Sequence, residues 1–201
     1  MQHFPIFLDL QDRAVAIAGC GEFAVAKLRL LLKTQARITV YATEPEADLL
    51  AVINAHAVSL IRRPATADDL HGAALAYAAH GQADADAQFA ARARSVGVLV
   101  NVVDNLEASA FITPAIVDRD PVTIAIGTEG AAPVLARAIK ADLEEKLPQG
   151  LGPLARAGKL FRPHAEALPQ GRRRREFWAD YYFETGPQVL AEVGEELLEH
   201  A

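Results

Sequence analysis

Short apolar runs alternate with longer amphipathic stretches along the first hundred residues of this chain. The runs are Ala14–Ala18, Ile38–Tyr41, Val58–Ile61, Leu75–Ala79 and Val98–Val102. Between them lie Ala24–Lys33, Glu44–Ala55, a short stretch at Ala67–Leu70, and Ala83–Ser95, all with helical spacing. Runs this short and this uniformly apolar predict strands buried on both faces, joined by crossover helices. The pattern therefore predicts an α/β protein built on a parallel sheet. Thr34-Gln35-Ala36 supplies the short return from the first helix into the second strand.

After Asp104 the rhythm changes. Phe111–Val117 and Val122–Ile126 are apolar, and Asp118-Arg119-Asp120-Pro121 between them reads as a hairpin connection. No crossover helix intervenes, so these two strands need not join the first sheet. Two strands alone are marginal, and pairing them across a two-fold axis in a homodimer is a natural solution. From Ala132 onward the pattern is helical, over Pro133–Leu147, Leu151–Ala167, Arg172–Thr185 and Pro187–His200, with Pro148, Gly150, Pro169, Gly171 and Gly186 as punctuation. The expected organisation is a nucleotide-binding unit over residues 1–105, a dimerisation region over 106–148 and a helical module over 149–201.

The turn after the first strand is Gly19-x-Gly21-x-x-Ala24, a form of the dinucleotide-binding fingerprint of a Rossmann-type unit. Gly19 permits the tight turn, Gly21 lets a pyrophosphate approach the backbone, and Ala24 lets the helix pack closely on the strand. Helix-start N–H groups near Glu22 and Phe23, with the positive end of the helix dipole, attract phosphates. Cys20 inside the turn reads either as a thiol activated by the helix terminus or as a small space-filling side chain. An acid about 20 residues past such glycines usually holds the ribose hydroxyls. Here the strand end runs Tyr41-Ala42-Thr43-Glu44, where Glu44 is either that acid, slightly late, or an ordinary first-turn helix acid, and no arginine follows, which favours NAD over NADP.

Two other strand ends bear on the ligand crevice. His80 follows the fourth strand and is expected to face it. Asn101-Val102-Val103-Asp104 ends the fifth, where Asp104 is either a general base beside a nicotinamide or a residue that caps the next turn. Thr128-Glu129-Gly130-Ala131-Ala132-Pro133 enters a helix and reads as a structural entry or as a seat for a substrate carboxylate. The Arg172–Arg175 run is a solvated helix face or an attractor of a polyanion. The remaining histidines show no metal-ligand spacing, and no resident metal is expected.

Composition narrows the classes. The chain has 201 residues, 51% of them hydrophobic, enough to bury a core. A net charge of −6 disfavours nucleic acid as a general partner. One cysteine excludes an intrachain disulfide and a cysteine-clustered metal site. No apolar run approaches the ~20 residues of a membrane span, and the start lacks an export signal. A soluble cytoplasmic protein is expected, with no membrane partner.

In order along the chain these segments resemble the precorrin-2 dehydrogenase/sirohydrochlorin ferrochelatase family, the N-terminal half of bifunctional siroheme synthases. The resemblance is carried by Phe4-Pro5-Ile6-Phe7-Leu8-Asp9-Leu10, by the glycine turn with Lys27-x-Arg29-Leu30-Leu31-Leu32, and by Asn101-Val102-Val103-Asp104. It continues through Phe111-Ile112-x-Pro114-Ala115-Ile116-Val117-Asp118-Arg119 and Ala132-Pro133-Val134-Leu135-Ala136-Arg137. The methyltransferase half of the bifunctional enzymes has no counterpart in these residues. The resemblance implies NAD-dependent oxidation of precorrin-2 to sirohydrochlorin, with ferrous iron insertion to give siroheme as a second activity. It also implies an intertwined homodimer. Asp104 matches the family's catalytic aspartate, Glu22, Phe23, Thr43 and Glu44 match cofactor-contacting segments, and Asn101 and Thr128 fall on the tetrapyrrole side.

This chain departs from the family pattern in two places. His80-Gly81 stands where many relatives carry Thr-Asp or Thr-Asn near the cofactor, and Glu129 with Ala131-Ala132 replaces glycine and hydroxyl residues. Those departures motivate a rival from another class, a Rossmann module that senses NAD or a tetrapyrrole without catalysis. A generic NAD-dependent dehydrogenase of small acids would want a catalytic histidine that has no recognisable place here.

Overall fold

A computed structural model describes residues 1–193, and the part of the predicted Pro187–His200 helix beyond Val193 lies outside the described residues. The chain divides into two compact units, Met1–Thr113 and the remainder from Pro114.

The first unit is a Rossmann-type α/β layer structure. Strands β1 (Ala14–Ala18), β2 (Arg37–Tyr41), β3 (Ser59–Ile61), β4 (Leu75–Ala78) and β5 (Leu99–Val102) form one sheet in the order β3-β2-β1-β4-β5. All pairings are parallel, with Ala16 opposite Thr39 on one side and Ala76 on the other. Helices α1 (Glu22–Leu31), α2 (Ala47–Ala55), α3 (Ala67–Leu70) and α4 (Ala83–Ser95) make the crossovers. The order reverses between β1 and β4, and in such sheets ligands bind outside the carboxyl ends of the strands at that point.

The two faces of the sheet are built from different side chains. Val15, Ile17, Leu75 and Tyr77 face the helices α1 and α2, packing with Leu28, Leu31, Leu49 and Ile53. Ala16, Ala18, Ala76 and Ala78 face the other way, toward Leu70 of α3 and Phe89, Ala90 and Ala93 of α4. Both faces are closed to water, as the uniformly apolar runs require.

The second unit holds an antiparallel pair, β6 (Ala115–Arg119) and β7 (Val122–Ile126), with Val117 opposite Ile124. Helices α5 (Pro133–Lys146), α6 (Leu151–Glu166), α7 (Arg172–Asp180) and α8 (Gly186–Val193) follow, with a π-helical turn over Tyr181–Thr185 between the last two. Leu154 and Ala157 of α6 form a small core with Tyr181, Tyr182 and Leu190. Gly152 lets α6 press on the hairpin turn, since a Cβ there would collide with the carbonyl oxygens of Arg119 and Asp120.

Several expected boundaries shift for local reasons. The strand predicted over Phe111–Val117 begins only at Ala115. Phe111 instead packs edge-on against Tyr77, with ring centroids 5.4 Å apart, so its hydrophobicity belongs to the first unit's core. Pro114, which has no N–H to donate, ends that excursion. Asp118 and Arg119 remain in β6, which confines the turn to Asp120 and Pro121. The helix predicted from Glu44 starts at Ala47, because Glu46 donates its N–H to the Cys20 carbonyl at 2.9 Å and closes a turn first. The single helix predicted over Arg172–Thr185 is α-helical only to Asp180. Among the described residues, no helix is long and apolar enough to cross a membrane.

Candidate functional site

The first unit brings the glycine turn and the ends of β2, β4 and β5 to one edge of its sheet. At Gly19 the backbone adopts φ +153°, and an added Cβ would run into the Ala79 carbonyl oxygen and lie 3.1 Å from the His80 nitrogen. The turn therefore touches the end of β4 directly, and only glycine fits there. Gly21 is the N-cap of α1 and no side chain caps that helix, so the N–H groups of Glu22 and Phe23 are left for a ligand. Ala24 is fully buried, which seats the helix on the strand. Phe23 lies against the turn after β4, because a Cβ on Gly81 would come within 2.8 Å of its ring.

The loop after β2 carries Thr43 and Glu44, both exposed. The carboxylate drawn to the glycine turn is that of Glu46, whose Oε1 lies 2.7 Å from where a Gly21 Cβ would sit. Spacing alone pointed two residues earlier. Pro45 was the available signal, since it keeps the loop from entering α2 before Glu46 has folded back.

At the end of β4, His80 is held by Asp86 of α4. The Asp86 Oδ1 accepts the His80 backbone N–H at 2.9 Å and lies 2.8 Å from His80 Nδ1. Sequence reasoning did not single out Asp86.

Asp104 stands exposed two residues past β5, in the left-handed region at φ +58°. Its turn is pinned on both sides. Val103 donates to the Ala78 carbonyl at 2.9 Å and Asn105 to the Val102 carbonyl at 3.0 Å. The Ser109 hydroxyl accepts from the Val102 N–H at 2.9 Å and reaches the Asn105 carbonyl at 2.7 Å. Asn101 is buried, and its Nδ2 donates to the Phe111 carbonyl at 2.9 Å. Its Oδ1 is enclosed and has no hydrogen-bond partner among the described residues. Asn101 thus ties the 109–111 segment beneath the Asp104 turn.

Lys27 lies on the half-buried flank of α1, with Nζ 5.8 Å from the centroid of the Tyr77 ring. Burial pulls its ammonium below the usual lysine range, and the negative charge of Asp104 acts in the opposite sense. A lysine on the core side of the helix therefore shares a field with the aspartate at the end of β5.

Thr128 belongs to the second unit. It accepts the Ala131 N–H on its carbonyl at 2.8 Å, and Glu129 beside it has φ +51°. The turn delivers the chain to Pro133 at the start of α5.

Residues 6–115 match the family model described as putative NAD(P)-binding. The chain belongs to this family. Residues 150–201 match a second model, described as the sirohaem synthase dimerisation region. Among curated relatives, the siroheme synthase of Ectopseudomonas mendocina (strain ymp) is 41% identical over 204 residues, covering 99% of this chain and 44% of the relative. That of Chromobacterium violaceum is 41% identical over 179 residues, covering 89% and 38%. The chain thus spans less than half the length of these relatives. Among solved structures, "SirC, precorrin-2 dehydrogenase" superposes with a TM-score of 0.74 at 21% identity, covering 99% of this chain and all of the other. That likeness carries the fold.

Proposed function

We propose that this chain binds NAD at the carboxyl edge of its five-stranded sheet and oxidises precorrin-2 to sirohydrochlorin in siroheme formation. The observation that carries the reading is the placement of Asp104, an exposed carboxylate on a pinned left-handed turn, at the same sheet edge as the uncapped start of α1. The curated relatives named siroheme synthase support the choice of substrate. The residues present fit a dinucleotide. Gly19 and Gly21 leave the backbone bare, the first N–H groups of α1 have no side-chain cap, and the loop over residues 42–46 carries two carboxylates and no arginine, which favours NAD over its 2′-phosphate analogue.

When bound, NAD supplies the hydride acceptor. The protein's own part is positioning and proton transfer. Glu22 and Phe23 hold the pyrophosphate through their N–H groups, and Thr43, Glu44 and Glu46 border the ribose on the β2 side. Asp104 accepts the proton that leaves precorrin-2 as a hydride departs, so the products are sirohydrochlorin, the reduced dinucleotide and a protonated Asp104. Asn101 supports the turn from beneath, and Thr128 is assigned to tetrapyrrole binding. Ferrous insertion, which would use the same Asp104 to take the pyrrole protons, is tested separately with sirohydrochlorin and ferrous ion.

The working form in this reading is a homodimer of a cytoplasmic enzyme, with residues 106–148 serving dimerisation and 149–201 the helical module. The match of residues 150–201, the helical module, to a dimerisation region supports the homodimer. So do Phe4, Ile6 and Phe7, which are 76%, 68% and 77% exposed, and Val134, 71% exposed.

The test is to mix the protein with precorrin-2 and NAD and follow the rise of NADH absorbance. Asp104→Asn should lower turnover by about 100-fold or more, with NADH affinity within about twofold of the parent. A flat trace from the parent protein, with NADH still bound, would support a sensing module instead.

A further inference from the structure

The His80–Asp86 pair is unused by the hydride and proton transfers described above. Asp86 is only 4% exposed, and a buried carboxylate is costly unless it is well satisfied. Its Oδ1 takes the His80 backbone N–H and faces Nδ1 of the same residue. A main-chain N–H can only donate and a carboxylate oxygen can only accept, so beside the carboxylate the ring nitrogen 2.8 Å away is the one that carries a proton. In the neutral imidazole that leaves Nε2 with a free lone pair. Phe89 packs against the ring with centroids 6.3 Å apart, restricting its rotation. The ring remains 25% exposed, and Nε2 has no hydrogen-bond partner among the described residues.

The position in the sheet says what that lone pair meets. His80 follows β4, and its backbone nitrogen lies against Gly19 of the phosphate turn. A dinucleotide with its pyrophosphate at the start of α1 extends one half over β2 and the other over β4 and β5. We propose that Asp86 locks His80 with its proton on Nδ1, so that Nε2 accepts a hydrogen bond from a hydroxyl of the ribose on the redox-active half of the dinucleotide. His80 touches the cofactor in this arrangement, and Asp86 is a positioning residue that acts through it. The inference rests on the dinucleotide-binding reading and is independent of the tetrapyrrole.

Calorimetric titration with NADH, ADP-ribose and ADP tests it, because only ADP lacks the second ribose. His80→Asn keeps an amide donor for Asp86 and removes the Nε2 position. It should weaken NADH and ADP-ribose about tenfold and leave ADP within twofold. In the parent protein, nitrogen-15 NMR of the His80 ring should find the neutral form protonated on Nδ1, and Asp86→Ala should shift the proton to Nε2 with a similar loss of NADH affinity. Equal weakening of ADP, unchanged NADH affinity in His80→Asn, or a parent ring protonated on Nε2 would each overturn the inference alone. A parent protein that binds none of the three ligands overturns the dinucleotide reading together with it.

Discussion

A methyl group at position 19 has nowhere to go. It would strike the Ala79 carbonyl oxygen, and the backbone there lies at φ +153°, so neither a side-chain shift nor a rotamer change relieves it. Gly19→Ala should therefore cost about 2 kcal/mol or more in urea unfolding and abolish NADH binding in a titration. Cys20→Ala, one residue away and only half-buried, should cost under about 1.5 kcal/mol and leave NADH binding intact, as expected of a space-filling side chain. Lys27 makes a different prediction. Its pKa in the folded protein lies below the ordinary value of 10.5, chiefly through burial. Between the two values the unfolded state's Lys27 binds more protons than the folded state's, so the Lys27 contribution to stability rises with pH across that window. Lys27→Met should remove this slope from unfolding curves recorded at rising alkaline pH. Asp104→Asn should steepen it by removing the opposing charge.

At the scale of elements, the four-residue helix α3 is tied at both its start and its flank. Thr66 and Asp69 form a reciprocal capping box at the start of α3, and Arg63 grips Asp69 through both terminal nitrogens at 2.5 and 2.8 Å. The Arg63 guanidinium, with the Thr66 N–H second, holds the Asp69 carboxyl well below the usual carboxylate range. Such a group contributes stability above its unfolded pKa, near 3.8, and loses it as pH falls through the lower folded value. Asp69→Asn should thus flatten the acid limb of a stability–pH curve below about pH 4, and Thr66→Ala should cost about 1 kcal/mol at neutral pH. In the second unit, Gly152→Ala should lift α6 from the hairpin turn and destabilise by about 1–3 kcal/mol, read from near-ultraviolet circular dichroism of the Tyr181–Tyr182 cluster on heating.

Elements bounded by turn residues were legible to the residue, as in β1, α3, α4 and β7, because periodicity and punctuation agree there. Phe111 was misassigned because an apolar run reads the same whether it extends a strand or plugs a neighbouring core. Only Pro114 marked the difference. The site divides in the same way. The turns at Gly19 and Asp104 are backbone features set by neighbouring residues, which a sequence displays. Glu46 and Asp86 could not be read, since which carboxylate a loop turns inward depends on contacts between segments far apart in sequence.

For the whole molecule, the homodimer reading predicts a solution mass near twice the chain's 21.6 kDa in sedimentation analysis. Val134→Asp, on an exposed apolar stripe of α5 with Leu135 and Ile139, should weaken that assembly if the stripe is part of its interface. A stable monomer in the parent protein would refute the dimer. The two faces of the parallel sheet carry a consequence for how this protein tolerates change. On the α4 side Ala16, Ala18, Ala76 and Ala78 leave room for nothing larger, so added methylenes should cost about 1–3 kcal/mol each. On the α1 side Val15, Ile17 and Leu75 are already large, and the damage should come from shortening them, about 1–5 kcal/mol apiece. A saturation-mutagenesis scan of β1 and β4 should therefore give two complementary maps in alternate residues, one rejecting growth and the other rejecting loss. Inheritance would then record the sheet through which sizes are forbidden where, at positions that carry no reactive group at all.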